Sequence, residues 1–250
     1  MQKKAKTGLA RALSKLGYCS RSQAKELVRT GHVTLNGRHV LDPETPVHLE
    51  HDQVAVDHAP IEARPKLYLV MNKPRGLVTT ASDEGGRATV YDLLKSTTAD
   101  ATDWVGPVGR LDKASEGLLL FTNDSTWAAQ ITDPDNHLEK RYHVQIDCVA
   151  GDDLLVRIKR GVHDGSERLS VKAAQIVRTG HKNSWLEIAL EEGKNRQIRR
   201  LLEGLRVQVL RLVRVSIGPL ELGDLKKGTV RPLTDEEKRL LDEALRAGTL

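Results

Sequence analysis

The chain has 250 residues, with 39 lysines and arginines against 34 aspartates and glutamates, which gives a formal net charge of +5. This length allows one large domain, or a small domain followed by a larger one. The longest apolar runs are too short to span a bilayer and no signal peptide opens the sequence, so we expect a cytoplasmic protein without a membrane partner. Cys19 and Cys148 match neither a disulfide framework nor a zinc site, and we expect neither a metal nor a cofactor.

Positive charge is concentrated in two regions of an otherwise near-neutral chain. In residues 1–40, Glu26 is opposed by Lys3, Lys4, Lys6, Arg11, Lys15, Arg21, Lys25, Arg29 and Arg38. A second cluster consists of Lys194, Arg196, Arg199, Arg200, Arg206, Arg211 and Arg214. Two such clusters favour a polyanionic partner. Aromatic residues make up 3% of the chain, so recognition of phosphate and shape fits better than stacking on single-stranded bases.

The first sixty residues have the pattern of a small helical module. Apolar residues at helical spacing predict a first helix over residues 9–16. Ser20 and Gln23 form a capping-box pair for a second helix, which stops at Gly31. Residues 33–40 then alternate around an Asn-Gly turn, which predicts a β-hairpin.

Two short basic helices followed by a hairpin resemble the small RNA-binding module first known from ribosomal protein S-four. Cys-Ser-Arg-Ser-Gln-Ala at residues 19–24 and Gly-His-Val-Thr-Leu-Asn-Gly at residues 31–37 fit that module closely. A generic helical pair packed on a sheet is the alternative. The resemblance predicts an RNA-binding module over residues 1–58. Irregular sequence with Pro60 and Pro65 then predicts a linker over residues 59–66, followed by a larger domain over residues 67–250.

Residues 108–124 carry the most informative motif. Gly-Arg-Leu-Asp places the carboxylate of Asp112 on a tight segment, and the apolar run over residues 118–121 is typical of a strand buried on both faces. A carboxylate on a loop with a rigid strand behind it suits catalysis, whereas an isolated aspartate in a loop often caps a turn. The whole run, with Gly-Leu-Leu-Leu and Thr-Asn-Asp, resembles the catalytic motif of the pseudouridine synthases.

Further segments frame this motif. Residues 67–71 predict a strand that leads into Asn-Lys-Pro-Arg-Gly, an entry sequence found in the same family. Thr234 and Glu237 predict a capped final helix over residues 235–247. The other predicted segments are a polar loop over 82–87, a helix over 89–94, a surface connection up to 103, a helix over 127–131, and helix or strand candidates over 154–158, 170–177 and 185–190.

Two more motifs supply candidate site residues. Residues 140–146 alternate as a half-buried strand and contain Glu-Lys-x-Tyr-x-Val, in which the family places a tyrosine, here Tyr142, against the target base. Asn195 is predicted to cap a helix that carries Arg199. Its Gln-Ile-Arg resembles a motif of the same family, and the resemblance implies that the guanidinium of Arg199 meets the catalytic carboxylate. Leu212 begins a segment that resembles the family's Leu-x-Arg-x-x-x-Gly element, which implies that its apolar side chain closes the pocket.

By resemblance, the chain is closest to the RsuA/RluB-like ribosomal RNA pseudouridine synthases. This implies an α+β fold: a small N-terminal helix-helix-hairpin module, and a catalytic domain with a mixed, mainly antiparallel sheet flanked by helices. It implies Asp112, Tyr142 and Arg199 as catalytic residues, and Arg110 and Leu212 as base-flipping and pocket residues. The residues expected to bind RNA are Arg11, Lys15, Arg21, Lys25, Arg29, Arg38, Lys73, Lys194, Arg196 and Arg200. The expected partner is ribosomal RNA, with large-subunit RNA slightly preferred, in a pre-ribosomal particle, and the protein is expected to be a monomer.

The implied reaction breaks the carbon–nitrogen bond of uridine, turns the uracil and rejoins it through carbon 5. An ionised carboxylate must start it by attacking the sugar, attacking the base or removing a sugar proton, and the sequence leaves these routes open. Burial would favour the neutral acid, so a cation such as Arg199 must keep Asp112 charged. Two alternatives are a glycosidase that uses Asp112 with Glu116, and a catalytically silent ribosome-assembly factor that binds rRNA.

Overall fold

The computed structural model describes residues 6–80, 85–97 and 104–248. The polar loop predicted over residues 82–87 is described from residue 85 onward, and the last part of the predicted surface connection, residues 98–103, lies outside the described residues. Within the described ranges, no helix is long and apolar enough to cross a membrane.

The N-terminal region forms a small module of two packed helices beside short strands. Its elements are β1 (Thr7–Gly8), α1 (Leu9–Lys15), α2 (Arg21–Arg29), β2 (Val33–Leu35), β3 (Arg38–His39), β4 (Pro46–Val47), β5 (Val54–Val56) and β6 (Ala59–Pro60). Gln23 N donates to Ser20 Oγ at 3.2 Å and Ser20 N donates to Gln23 Oε1 at 3.1 Å, which confirms the predicted capping box. Asn36 and Gly37 have φ of 52° and 78°, as a tight turn between β2 and β3 requires, so the hairpin is also confirmed.

The segment predicted as a linker, residues 59–66, begins inside the small sheet, because β6 pairs with β5. Beyond β6, Arg64 N donates to Leu16 O and Lys66 Nζ donates to Lys15 O, both at 3.0 Å. The segment therefore lies against the end of α1. Sequence inspection missed this because bonds to backbone carbonyls leave no periodic pattern in an irregular segment.

Asn123 fastens the far end of the same segment. Its side chain is fully buried, donates from Nδ2 to Pro65 O at 2.8 Å, and accepts from Leu67 N at 2.9 Å. A side-chain amide can satisfy one carbonyl and one N–H of an extended backbone in this way. The N-terminal module is thus joined to the larger domain at a defined position.

The larger domain contains the remaining elements. They are β7 (Tyr68–Lys73), α3 (Val90–Thr97), β8 (Gly106–Val108), β9 (Glu116–Thr122), α4 (Ser125–Thr132), a 3₁₀ turn (Pro134–Asn136), β10 (Lys140–Ile146), α5 (Asp152–Arg160), β11 (Val162–Asp164), β12 (Glu167–Leu169), β13 (Ala173–Thr179), β14 (Ser184–Leu190), α6 (Gln197–Gly204), β15 (Val209–Ile217), β16 (Leu220–Glu221), β17 (Val230–Pro232) and α7 (Asp235–Ala247). The capping box of Thr234 and Glu237 at the start of α7 is confirmed.

The main sheet has the order β13-β14-β10-β15-β9-β7-β17, with β8 added to β9 and β16 added to β15. β9 and β15 run parallel, whereas the other pairs in this order are antiparallel. The parallel contact is short, with Glu116 opposite Val213 and Gly117 opposite Arg214. A mixed, mainly antiparallel sheet with flanking helices confirms the predicted α+β fold.

β9 is buried along its whole length, as its apolar run predicted. Side chains alternate across a strand, so neighbouring residues enter different cores. Leu118 and Leu120 pack in the core that contains residues of α4 and α7, whereas Leu119 and Phe121 pack in the core that contains residues of α3. A third core lies between α5, α6 and the strands β10 and β14. The strand that follows the Asp112 loop is therefore supported from both faces.

Gly117 lies at a close approach of β9 to β15. A Cβ atom at this position would lie 2.2 Å from Arg214 O and 2.8 Å from Arg214 N. Its φ of 102° is also one that residues with a side chain rarely adopt. Steric space and backbone conformation both require glycine here.

We expect Gly117→Ala to lower the free energy of unfolding by about 3 kcal/mol or more, because overpacking and backbone strain add. Gly193→Ala is a matched control, since nothing lies within 4 Å of a Cβ atom there and its φ is ordinary. Denaturant unfolding measures both variants. If Gly117→Ala has the same free energy of unfolding as Gly193→Ala, the close contact between β9 and β15 is contradicted.

Candidate active site

A cavity of about 400 Å³ lies where the turn before β9, the face of β10 and β15, and the start of α6 meet. The predicted site residues that line it are Arg110, Asp112, Tyr142, Lys194, Arg196 and Leu212. These residues come from four separate stretches of sequence, and the sheet order brings them together. Arg199 lies next to this cavity and lines a neighbouring depression together with Arg196.

The loop that carries Asp112 is fastened by the segment that follows β7. Thr79 Oγ1 donates to Leu111 O at 2.7 Å, and Gly76 N donates to Lys113 O at 2.8 Å. These bonds fix the backbone on either side of the carboxylate. Preorganisation of this kind is what a positioned catalytic group requires.

Lys73 supports the loop from behind. It has no exposed surface, and its ammonium donates to the carbonyls of Pro74 at 3.1 Å, Asp112 at 3.2 Å and Ser115 at 2.9 Å. Three donor hydrogens thus meet three acceptors. Burial lowers the pKa of Lys73 to about 8, while the charges of Asp112 and Glu116 oppose that effect. The prediction that Lys73 contacts RNA is wrong, because the side chain is enclosed beneath the Asp112 loop.

The cation closest to the Asp112 carboxylate is Arg196, whose Nη1 lies 3.9 Å from Oδ2. Arg199, the predicted partner, donates instead from Nη2 to Ala114 O at 3.1 Å, and among the described residues it forms no direct ion pair with Asp112. The pKa of Arg199 is lowered mainly by burial and by the charge of Arg196, whereas Asp112 raises it. Two guanidinium groups therefore lie near this carboxylate. Arg196 faces it across the cavity, and Arg199 is bonded to the backbone of the same loop.

Arg196 owes its position to an unusual backbone conformation. It is the residue before α6 and has left-handed dihedral angles, with φ of 49° and ψ of 32°. The predicted Asn195 cap is wrong, because no side chain caps this helix start. Buried Gln197 orders the turn instead, and its Oε1 accepts from Lys194 N at 3.1 Å. The sequence did not reveal this role of Gln197, because helix caps are sought before a helix and Gln197 lies in its first turn.

The sheet face contributes the opposite wall of the cavity. Tyr142 on β10 lies opposite Arg214 on β15, and the next pair on this face includes Leu212. Lys140 and Arg214 also line the cavity, and neither was among the residues predicted to form the site, although Arg214 belongs to the second basic cluster. The two-residue period of a strand would have found both, since each is two positions from a predicted site residue.

Exposed cations border the cavity and extend onto the N-terminal module. Arg110 is exposed at the cavity rim. Arg11 and Arg21 line a groove of about 300 Å³ that also touches Gly109 and Thr132, next to the Asp112 loop. Basic residues of α1 and α2 thus lie beside the same turn that presents Arg110.

The remaining residues predicted to bind RNA differ in their availability. Arg29 and Arg38 are exposed, and Lys15 is half-buried. Ion pairs engage the others: Lys25 with Glu44, Lys194 with Glu192, and Arg200 with Asp164 and Glu167.

The buried lysine generates a test of its environment. Between about pH 8 and pH 10.5, Lys73 is neutral in the folded chain but still protonated in the unfolded chain. The unfolded state then binds more protons, so stability rises with pH in this window. We expect the unfolding free energy of the wild type, relative to Lys73→Met, to rise by up to about 3 kcal/mol across it.

Lys113→Met is the control, because Lys113 is an exposed lysine on the same loop. Its stability relative to the wild type should stay constant over that range. Denaturant unfolding at a series of pH values measures both differences. A wild-type advantage over Lys73→Met that stays flat or shrinks as pH rises would contradict a buried, titrating ammonium.

Comparison with known proteins agrees with this arrangement. The family described as RNA pseudouridylate synthase matches residues 67–204, and the S4 domain matches residues 7–54. "Ribosomal large subunit pseudouridine synthase B" of Bacillus subtilis (strain 168) is 31% identical over 235 residues, which cover 93% of this chain and 94% of that protein. An uncharacterised RNA pseudouridine synthase of Aquifex aeolicus (strain VF5) is 36% identical over 234 residues, covering 93% and 92%.

A solved structure described as a pseudouridylate synthase is similar over nearly the whole chain. It has a TM-score of 0.63 and 28% sequence identity, and the match covers 94% of this chain and 99% of that one. The matched family region contains the Asp112 loop, Tyr142 and the start of α6. The chain therefore belongs to the RNA pseudouridylate synthase family, and it carries an S4 domain at its N-terminus.

Proposed function

We propose that this protein converts a specific uridine of ribosomal RNA to pseudouridine, with Asp112 as the group that starts the reaction. The observation that carries the proposal is the Asp112 carboxylate, which lies on a rigidly fastened loop in a cavity bordered by cations. A carboxylate in such a cavity stays ionised if cations are close enough to offset its desolvation. Arg196 and Arg199 supply that charge.

The walls of the cavity suit a flat base. A stacked base must leave its helix before its sugar can be reached, at a cost of about a few kcal/mol. We propose that exposed Arg110 fills the space that the base leaves. Tyr142 then packs on the extruded uracil, and buried Leu212 contacts its other side. Asp112 attacks the sugar, attacks the base or removes a sugar proton.

The choice of ribosomal RNA rests on two supports. The first is the relative from Bacillus subtilis, whose name assigns it to the large ribosomal subunit. The second is the basic surface that extends from the cavity rim to Arg11 and Arg21 of the N-terminal module. This combination favours large-subunit RNA with local structure around the target. A pre-ribosomal particle as the substrate, a monomeric state and a cytoplasmic location stay predictions.

Asp112→Asn tests the proposed chemistry. The amide keeps the size of the side chain but removes the charge, so we expect turnover to fall by about 10³-fold or more. Tritium release from ribosomal RNA transcripts labelled at uracil carbon 5 measures it, because rejoining through that carbon frees the label. Asp152→Asn, on exposed α5, is the matched control and should keep full turnover.

RNA binding should survive in Asp112→Asn, because affinity depends on the exposed arginines and lysines. A variant that releases tritium at anything near the wild-type rate would contradict the role of Asp112. Wild-type protein that binds the transcripts without releasing tritium would favour the silent assembly factor instead.

Charge on the N-terminal module supports a second test. We expect Arg21→Gln combined with Arg29→Gln to weaken RNA binding, since both side chains are exposed on α2. Each phosphate contact that is lost should flatten the slope of log K against log salt by about 0.7 to 0.9. Binding titrations at several salt concentrations give this slope.

The matched control combines Arg178→Gln with Lys182→Gln, which removes the same charge near the edge strand β13. That double variant should keep the wild-type salt slope. Equal slopes for both double variants would contradict a specific RNA-binding role of the module.

A further inference from the structure

Two cations in the cavity wall have no assigned part in the proposed mechanism. Arg214 is 5% exposed and donates from Nε to Leu118 O at 2.8 Å. Its Nη2 is buried without a hydrogen-bond partner among the described residues. Lys140 lines the same cavity from β10 and forms no ion pair with a carboxylate in the described part of the chain.

Arg214 is buried and Lys140 is half-buried, and the lack of a counter-charge is unfavourable for each of these groups. Burial and the neighbouring charge of Arg214 lower the pKa of Lys140 to about 8. The fold nevertheless keeps both groups on the same sheet face as Tyr142 and Leu212. A buried donor without a partner calls for an acceptor, and a ligand in the adjoining cavity can supply one.

The surroundings distinguish between two kinds of acceptor. A phosphate beside Arg214 would share the cavity with the Asp112 carboxylate, so two anions would repel each other. Exposed cations at the rim, Arg110 and Arg196, are better placed for the RNA backbone. The wall around Arg214 instead presents an aromatic ring and an aliphatic side chain, which fit a planar base.

We propose that Arg214 and Lys140 donate hydrogen bonds to the carbonyl oxygen at position 4 of the flipped uracil and stabilise the negative charge that this base acquires. The inference rests on the proposed function. When the bond between C1′ and N1 breaks, its electron pair goes to the uracil, and the charge spreads onto the carbonyl oxygens. C5 then uses a pair to bond C1′, and where Asp112 has attacked the sugar, its bond to C1′ breaks and the carboxylate leaves with that electron pair. The proton on C5 is lost and N1 takes up a proton, which restores the uracil ring. If Asp112 attacks the base first, at C6, charge moves onto the oxygen at position 4.

The same contact discriminates between pyrimidines. Uracil presents an acceptor at position 4, whereas cytosine presents an amino group that donates there. A guanidinium and an ammonium have donors but no acceptor, so they bind the carbonyl oxygen of uracil and disfavour the amino group of cytosine. A good pair of donors of this kind discriminates by about 10- to 100-fold.

Nucleotide titration tests the recognition step without any turnover. The Nε–H of Arg214 is hydrogen-bonded and shielded, so it should give a slowly exchanging ¹⁵N side-chain signal that disappears in Arg214→Lys. We expect uridine 5′-monophosphate to shift this signal, and cytidine 5′-monophosphate to do so about 10- to 100-fold more weakly. Inorganic phosphate should leave it unchanged.

Three outcomes would overturn the proposal. Equal shifts with the two nucleotides would exclude recognition of the carbonyl. A shift with inorganic phosphate as large as that with the uridine nucleotide would assign the cations to phosphate. No shift with the uridine nucleotide up to its solubility limit would exclude the contact.

Kinetics tests the electrostatic step. We expect Lys140→Met and Arg214→Lys to lower kcat on the labelled rRNA transcripts by about 10²-fold, as for other donors to a developing anion, in addition to any rise in KM from the lost contact with the base. Lys159→Met, an exposed lysine of α5, is the control and should match the wild type. A loss that appears in KM alone, or equally in the control, would overturn the assignment.

A substituted target adds a readout that a merely structural role would not change. Fluorine at carbon 5 withdraws electrons and stabilises the uracil anion by itself. Consumption of a 5-fluorouridine target should therefore be less sensitive to Lys140→Met than consumption of uridine, and equal sensitivity would contradict charge stabilisation. If wild-type protein modifies no rRNA, the proposed function fails, whereas the nucleotide titration still decides whether Arg214 recognises uracil.

Discussion

The structure depends on one buried ammonium. Lys73 bonds to three carbonyls beneath the Asp112 loop, and a charge in that position is tolerated because each of its hydrogens has an acceptor. The loop in turn has little freedom, since its backbone must keep those carbonyls converged on a single point. Asp112 can then extend into the cavity while the backbone that carries it stays fixed. Rigidity of the reactive group and solvation of a buried charge are two results of the same contacts.

The sheet joins this loop to a second half of the site, which consists of side chains on β10 and β15. β9 continues from the loop, and its short parallel contact with β15 places Leu212 and Arg214 across from it. Lys140 and Tyr142 follow because β10 is the next strand. Cationic groups approach Asp112 from the start of α6, and cationic groups also lie in the wall on the sheet side. A carboxylate thus has positive charge on two sides, which suits the proposed reaction, since that reaction starts from an anion and passes through another.

Local patterns were sufficient for much of this fold. The capping boxes at Ser20 and Thr234 and the apolar run of β9 were predictable because their partners lie within a few residues. Lys73 was misassigned because its burial depends on carbonyls some forty residues away, which a basic turn in sequence does not reveal. The partner of Asp112 was misassigned for a similar reason. A left-handed residue at position 196 rotates the start of α6, and a helical wheel assumes that this turn is regular.

The Asp112 loop and the wall on β10 and β15 can form only in a certain order during synthesis, because they lie in different parts of the chain. Lys73 meets its carbonyls within 42 residues, whereas the bond from Arg214 to Leu118 spans 96. At ordinary rates of translation, β15 leaves the ribosome on the order of ten seconds after β9. During that interval the nascent chain has an ordered loop and an apolar strand with part of one edge unpaired, which invites non-native pairing. The N-terminal module is complete by then, so a chain still being synthesised can meet RNA before it has a cavity to receive a base.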